Sequence, residues 1–238
     1  MWFRFSLIPF TTGTSKILPR FYSNKRLSMQ KSLQNNDTVK RILQSATFLF
    51  AERGFSETSV RTITGLADVN LASVNYHFGS KKDLIQAVFS RFLNPIARDL
   101  DSFLNHTENS DTSTEDLLRG LFRVILEAAR EVDEKPQRFM QLLGLAYSQS
   151  QEHLRHFLLT RYGKTYQRFL KALAARLSGI ESKELFWRLH FMLGAAIFTL
   201  SSFDSIRSIL NAEYQDDTHL DEAIELLVPS LVSMLESP

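Results

Sequence analysis

Apolar positions in this chain of 238 residues recur with helical spacing almost everywhere from Asp37 onward. In DTVKRILQSATFLFAERGF, the side chains Val39, Ile42, Leu43, Ala46, Leu49 and Phe50 share one face of a helix that opens at a capping Asp37 and stops at Gly54. TSVRTITGLA predicts a second, shorter helix capped by Thr58, with Val60, Ile63 and Ala67 inward. Gly65 in its interior costs about 1 kcal/mol relative to alanine. Asp68 takes a turn position, Asn70 caps a third helix over residues 71–77, and Ser80 caps a fourth that runs from Lys81 towards Leu104.

The polar run NHTENSDTSTED at residues 105–116 interrupts the pattern, which then resumes as further helices. STEDLLRGLFRVILEAAREV places Leu117, Leu121, Val124, Ile125 and Ala128 on one face, and Pro136 opens the next helix. A later stripe joins Leu154, Leu158, Tyr162, Thr165, Phe169 and Leu173. SKELFWRLHFMLGAAIFTLSSF is apolar nearly all round, so it has to be covered on more than one side. A last helix spans roughly residues 220–235. The class is all-α, in two helical units at residues 37–84 and 105–238, with the fourth helix continuing to about 104.

One stretch, VNLASVNYHFGSKKDL at residues 69–84, suits neither a core nor bulk water. A core helix would be richer in Leu and Ile, and a solvated one would carry Glu and Lys. By spacing alone, the second and third helices fit either a helix-turn-helix or a plain helical hairpin. The side chains tip the balance. Ala72 is small enough for close approach, Val74 and Phe78 point inward, and Leu71, Ser73, Asn75, Tyr76 and His77 are left outward or lateral. Asn reads adenine edges, hydroxyls reach phosphates or bases, and apolar atoms touch thymine methyls. Tyr76 and His77 also fit partly buried positions at a helix end, and Thr58 is a helix cap on either reading.

The run Ala51-Glu52-Arg53-Gly54-Phe55, then Thr58-Ser59-Val60, Ile63 and Val69, then Asn75-Tyr76-His77-Phe78 with Ser80-Lys81 and Leu84, resembles the DNA-binding domain of the TetR family of bacterial transcriptional repressors over about fifty residues. Two departures stand out: Gly65-Leu66 replaces a usual Ala/Glu-rich stretch, and Asp68 stands where Gly makes the turn. Asp tolerates the left-handed region better than most residues. Carried over by position, the resemblance implies that Thr58, Ser59 and Arg61 approach DNA from the second helix. Leu71, Ala72, Ser73 and Asn75 would face base edges, Asn70 would lie with them at the DNA, and Tyr76, His77 and Lys81 would hold the backbone of a pseudo-palindromic duplex.

Charge changes this picture only when divided along the chain. Residues 1–36 carry six Lys or Arg and no acid, residues 37–93 balance at +2, and residues 94–238 at −6. The basic pI therefore comes from the N-terminal tail. Locally, residues 69–82 hold Lys81 and Lys82 and a surface free of carboxylates, which tolerates phosphate. Residues 1–36 read as a disordered basic extension, broken by Pro9, Gly13 and Pro19, with Met29 as the expected physiological start and an organellar transit peptide as the alternative. Cysteine is absent, which rules out disulfides and thiolate metal sites, and no apolar run reaches the roughly 20 residues that cross a bilayer. A cytoplasmic protein without cofactor or membrane partner is expected.

In the second unit, a helix apolar on every face needs its own core and a further partner, most simply an identical subunit. The resemblance implies a four-helix bundle across a two-fold axis from residues 183–203 and 219–235, and hence a homodimer. Aromatic and small side chains also mark a cavity for a hydrophobic effector: Phe139, Leu143, Tyr147, Phe157, Tyr162, Phe169, Phe191, Ala195 and Phe198, with Arg161 and Arg188 near them as anchors for a carboxylate or thioester head. Packed core and structural ion pairs explain the same residues. The segments FMQLLGLAYSQSQEHLRHFL and ELFWRLHFMLGAAIF resemble the PsrA-type, fatty-acid-responsive branch of the family, which implies a long-chain fatty acid or its coenzyme A ester as the signal. A drug-like apolar molecule is the other candidate effector.

An enzyme is the competing class. His153 and His156 lie one turn apart, a spacing that can ligate metal, but HExxH, Gly-x-Ser-x-Gly and Gly-rich phosphate loops are all missing from the sequence. A helical interaction module without DNA binding would have lost the polar side chains of the third helix, which are present.

Overall fold

The computed structural model describes residues 20–107, 111–149, 151–177 and 179–236, with side chains from Asn35 onward. The expectation of disorder for residues 1–19 lies outside these. Among the described residues every element is helical: α1 (Arg20–Glu57), α2 (Val60–Leu66), α3 (Ala72–Phe78), α4 (Lys81–Thr107), α5 (Thr114–Glu131), α6 (Pro136–Ser148), α7 (Glu152–Ala174), α8 (Ser182–Ser201), α9 (Phe203–Tyr214) and α10 (Leu220–Glu236).

The first helix corrects one boundary. It begins at Arg20 rather than at Asp37, so residues 20–36 belong to α1 and not to a disordered extension. No Gly or Pro lies between Arg20 and Arg53, and Asp37 instead pairs with Arg41 one turn on, at 3.2 Å. The C-terminal end is where the pattern put it. Gly54 has φ +82°, a conformation open to glycine at little cost, and it turns the chain so that Phe55 folds back under Phe50 with ring centroids 5.5 Å apart. Phe55 then meets Phe89 of α4 at 6.2 Å. Ile42, Ala46, Ile63, Val74, Leu84 and Val88 close the same core, all fully buried.

α4 leaves this three-helix unit and runs into the second one. Phe92 stacks on Phe139 of α6 at 5.2 Å, and Arg91 pairs with Glu134 at 3.0 Å. Glu134 also takes Arg138 at 2.8 Å, and its side chain is only 2% exposed, so two guanidiniums lock one buried carboxylate at the corner between α5 and α6. A hydrogen-bonded row joins α7 to α4: Tyr162 donates to Asn94 and Thr165 to Asp101, both at 2.8 Å, and Arg168 donates to Asp101 at 2.7 Å.

Local caps place the later helices. Ser113 and Asp116 form a capping box at the start of α5, and the Ser113 hydroxyl holds the Asp116 carboxyl below the usual carboxylate range. Pro136 occupies the first turn of α6. One helix was not anticipated: α9 leaves α8 at a bend of 69°. Its apolar Phe203, Ile206 and Leu210 continue the pattern of α8 across Ser201-Ser202, so the break was hidden in one long apolar stretch. No single helix among the described residues is long and apolar enough to cross a membrane.

Candidate nucleic-acid interface

α2 and α3 form the turn that the sequence predicted. The backbone N–H of Asp68 bonds the Gly65 carbonyl at 3.3 Å and that of Val69 the Thr64 carbonyl at 3.1 Å, with Asp68 at φ +50°. Asn70 caps α3, its side-chain oxygen accepting from the Ala72 N–H at 2.8 Å. Gly79, at φ +84°, ends α3, and Ser80 caps α4 by accepting from the Asp83 N–H at 3.2 Å. A seven-residue helix is thus fixed at both ends, with Val74 buried as its root.

Most of the side chains singled out for DNA lie on the surface. Ser59, Arg61, Asn70, Leu71, Ala72, Asn75 and Tyr76 are exposed, while Ser73, His77 and Lys81 are half-buried. Tyr76 is 77% exposed, which disposes of the buried reading for it; His77 sits edge-on beside it at 4.9 Å. Ser59, and not Thr58, caps α2, accepting from the Thr62 N–H at 3.0 Å. Thr58 is a correction on both counts, since it is fully buried and its hydroxyl bridges the Leu49 and Gly54 carbonyls at 3.1 and 2.8 Å. It fastens the end of α1 and presents nothing to a ligand. Lys81 donates to the Ser56 carbonyl at 3.4 Å, and its neighbour Lys82 is the more exposed cation. Sequence reasoning placed Lys82 with Lys81 on a phosphate-tolerant surface but gave only Lys81 a backbone contact. The result is an uncharged, hydrogen-bonding helix face flanked by cations, which can meet base edges and phosphates together.

Comparison with known proteins decides the family. A model described as bacterial regulatory proteins, tetR family, matches residues 42–88, and one described as tetracyclin repressor-like, C-terminal domain, matches residues 119–234. The chain belongs to the TetR family. The HTH-type transcriptional repressor Rv3405c of Mycobacterium tuberculosis is 46% identical over 112 residues, covering 46% of this chain and 57% of that one. The chain spans about half the length of the curated relatives it matches. A TetR-like transcriptional regulator from Rhodococcus sp. RHA1 shares the fold at TM-score 0.54 and 18% identity, covering 84% of this chain and 97% of that one. So does the fatty acid degradation regulator FadR from Bacillus halodurans, at TM-score 0.54 and 18% identity, covering 84% and 95%. The curated relatives are named as transcriptional regulators or repressors.

The second unit of this TetR-family protein does not gather its candidate effector residues around one cavity. Phe139 and Phe169 are packed core, while Leu143, Phe157, Tyr162 and Ala195 are half-buried, with Phe157 edge-on to Tyr162 at 6.1 Å. Phe191 and Phe198 are corrections: they are 60% and 64% exposed, on the side of α8 opposite its buried Met192, Ala196 and Leu200. Arg188 donates to Glu184 at 3.0 Å and to the Leu235 carbonyl at 2.8 Å, and Arg161 lies over the Tyr162 ring and reaches Asn94 at 3.4 Å. Both are therefore committed within the subunit. Tyr147 on α6 is half-exposed, as is Tyr166 on α7, which sequence reasoning missed although it lies one turn beyond Tyr162. Desolvation pushes both phenols above their ordinary value, and Tyr166 raises Tyr147 further.

α8 and α10 present a continuous apolar face instead. Trp187 stacks on Phe191 at 5.9 Å, and Phe198, Leu226 and Met234 extend the exposed surface. Gly194 lies open among them, with nothing within 4 Å of where a Cβ would stand, and Ser230 and Ser233 are exposed beside Leu226 and Met234.

Proposed function

We propose that this protein is a sequence-specific DNA-binding transcriptional regulator, acting as a cytoplasmic repressor that binds a pseudo-palindromic operator as a homodimer. The observation that carries the reading is the exposed, uncharged face of α3, with Leu71, Ala72, Asn75 and Tyr76 standing on a helix pinned by Asn70, Val74 and Gly79. Membership of a family of DNA-binding regulators supports it. The apolar faces of α8 and α10 supply the pairing. Two copies of Trp187, Phe191, Phe198, Leu226 and Met234 are about two-fifths to three-quarters exposed, so covering them contributes about 9–17 kcal/mol against the roughly 4–15 kcal/mol cost of association.

The effector is a long-chain fatty acid or acyl-coenzyme A that enters beside Tyr147 and releases the operator, in control of lipid metabolism or stress genes. Support is the sequence resemblance, together with a fold shared with a protein named as a fatty acid degradation regulator. A few kcal/mol of preference for a dimer whose reading heads no longer span about 34–36 Å is sufficient for release. One observation favours a second reading. Arg188 and Arg161 already have partners, which leaves an uncharged apolar or drug-like effector better matched than a carboxylate. A mobility-shift assay on the DNA upstream of its own gene, with and without oleate and oleoyl-coenzyme A, tests both. Loss of the shifted band with either compound supports the acyl effector; a band that survives both favours the second reading, and no band at all defeats the proposal.

A further inference from the structure

The end of α6 and the first turn of α7 bear on the reading unit at two points. The side-chain amide of Gln149 packs on the kink of α1, where a Cβ added to Gly54 would stand 2.8 Å from its nitrogen. Four positions on, His153 faces Lys82 and Asp83 at the start of α4. Gln149 Oε1 and His153 Nε2 are both enclosed, and neither has a hydrogen-bond partner among the described residues. Two orphaned polar atoms at one junction are a cost that packing for stability alone would avoid.

Asp83 links this junction to DNA. Its carboxylate accepts from the Ser80 hydroxyl at 2.6 Å, the Ser80 oxygen accepts from the Asp83 N–H at 3.2 Å, and a Cβ on Gly79 would stand 3.3 Å from the same carboxylate. Asp83 therefore closes the turn that carries α3 into α4, beside Lys81 and Lys82. Lys82 and Asp83 are the charged groups that face the imidazole from α4; α1 brings the uncharged Gly54, and on α7 itself Glu152 is turned to Arg155 at 3.7 Å. A neutral imidazole suits this place. Burial favours that form, Lys82 adds to the effect and Asp83 opposes it. A protonated ring carries two N–H donors and a charge that must be solvated. It either draws Asp83 off Ser80 or leaves the junction for water, and both loosen the grip of the second unit on the start of α4.

We infer that His153 is an acid-sensitive latch between the two units: protonating it frees the reading unit from the first turn of α7 and lowers the preference for operator DNA. The inference rests on the DNA-binding reading above. It supplies a route to release that needs no effector, because it acts on the angle at which the second unit holds each reading head. His77 on α3 works the other way, since a proton there adds a cation facing phosphate, but it does so on operator and random DNA alike.

Fluorescence anisotropy of the full chain tests this at fixed ionic strength, on labelled DNA from upstream of its own gene and on random DNA of equal length, with circular dichroism to verify folding. The quantity read is the ratio of the two affinities, which cancels the contribution of His77. The latch predicts that the ratio falls about threefold or more between about pH 7.5 and 6.0, and that His153→Gln keeps the ratio of the unaltered chain at the higher pH and holds it within about 1.5-fold at the lower. His153→Arg, a permanent cation, is expected to show the low ratio already at the higher pH. A ratio that falls equally in the unaltered chain and in His153→Gln, or in neither, overturns the latch and leaves the DNA-binding reading standing. No preference for the upstream DNA at the higher pH defeats that reading, and the latch with it.

Discussion

Arg41 of α1 donates from its guanidinium to the backbone carbonyl of Asp68 at 3.2 Å, so the turn between α2 and α3 is tied to a helix 27 positions earlier. The close contact is to the Asp68 backbone; its fully exposed carboxylate lies farther from the same guanidinium, at 4.0 Å. The turn therefore needs a residue that accepts φ +50° more than it needs a carboxylate. Asp68→Gly is expected to leave thermal stability within about 1 kcal/mol, while Asp68→Val, β-branched in the left-handed region, loses about 1–2 kcal/mol. Thermal melts of the two variants check this.

Asn75 and Lys81 should fail differently on DNA. Asn75→Ala is expected to reduce discrimination between operator and mutated operator by about 1–3 kcal/mol, because an amide reading a base edge carries sequence information. Lys81→Ala and His77→Ala should weaken operator and random DNA alike, and Lys81→Ala should lower the salt dependence by about one unit of slope. Titrations of both DNAs across salt concentrations separate the cases. Equal losses on both DNAs for Asn75→Ala would count against its assignment.

The buried carboxylate at the corner between α5 and α6 should be among the most sensitive positions. Glu134 is almost fully enclosed beside Arg91, whose side chain is 11% exposed. Removing one partner strands the other. Glu134→Ala is expected to cost about 3–5 kcal/mol, whereas exposed pairs such as Lys40 with Asp133 contribute less than about 1 kcal/mol. Denaturant unfolding of Glu134→Ala and Lys40→Ala compares them directly.

The junction between the two units should be sensitive to mild acid. The side chain of Gln149, just before α7, lies against Gly54, and His153 in the first turn of α7 faces Lys82 and Asp83 at the start of α4. Burial holds the His153 imidazole below its ordinary value, with Lys82 adding to the effect and Asp83 opposing it. A base whose folded value is depressed binds fewer protons folded than unfolded near pH 6. Its contribution is thus intact above the unfolded value of about 6.5 and is lost as pH falls from there towards the folded value. The carboxyls of Asp99, Asp116 and Glu131, also held low, titrate in a separate and more acidic window. Melting temperature is expected to drop between about pH 7.5 and 5.5, and to drop less in His153→Gln.

Helix ends were legible in the sequence because their causes are local. Gly54, Asp68, Asn70, Ser80 and Pro136 act through their own backbone or the next turn, and each stands where its chemistry placed it; Asp37 does not, because α1 already runs through it. Thr58 escaped because it and Ser59 are both good caps, and only the enclosed Leu49 and Gly54 carbonyls decide between them. Phe191 and Phe198 were assigned to a cavity for a deeper reason. Periodicity reports that a side chain wants apolar surroundings, but not whether these come from its own core, a ligand or a second molecule. Arg188 shows the same limit. Its position among apolar residues read as a ligand anchor, yet the Leu235 carbonyl that claims it lies 47 residues away in sequence.

Hydroxyl-radical footprinting of the protein and of Asn75→Ala on the DNA upstream of its own gene tests the central claim most directly. Two copies of α3 reading successive major grooves predict two protected half-sites related by a dyad, their centres about 34–36 Å apart, with protection by Asn75→Ala losing its preference for that sequence. A single protected patch without a dyad, or a footprint that Asn75→Ala leaves unchanged, would contradict the account.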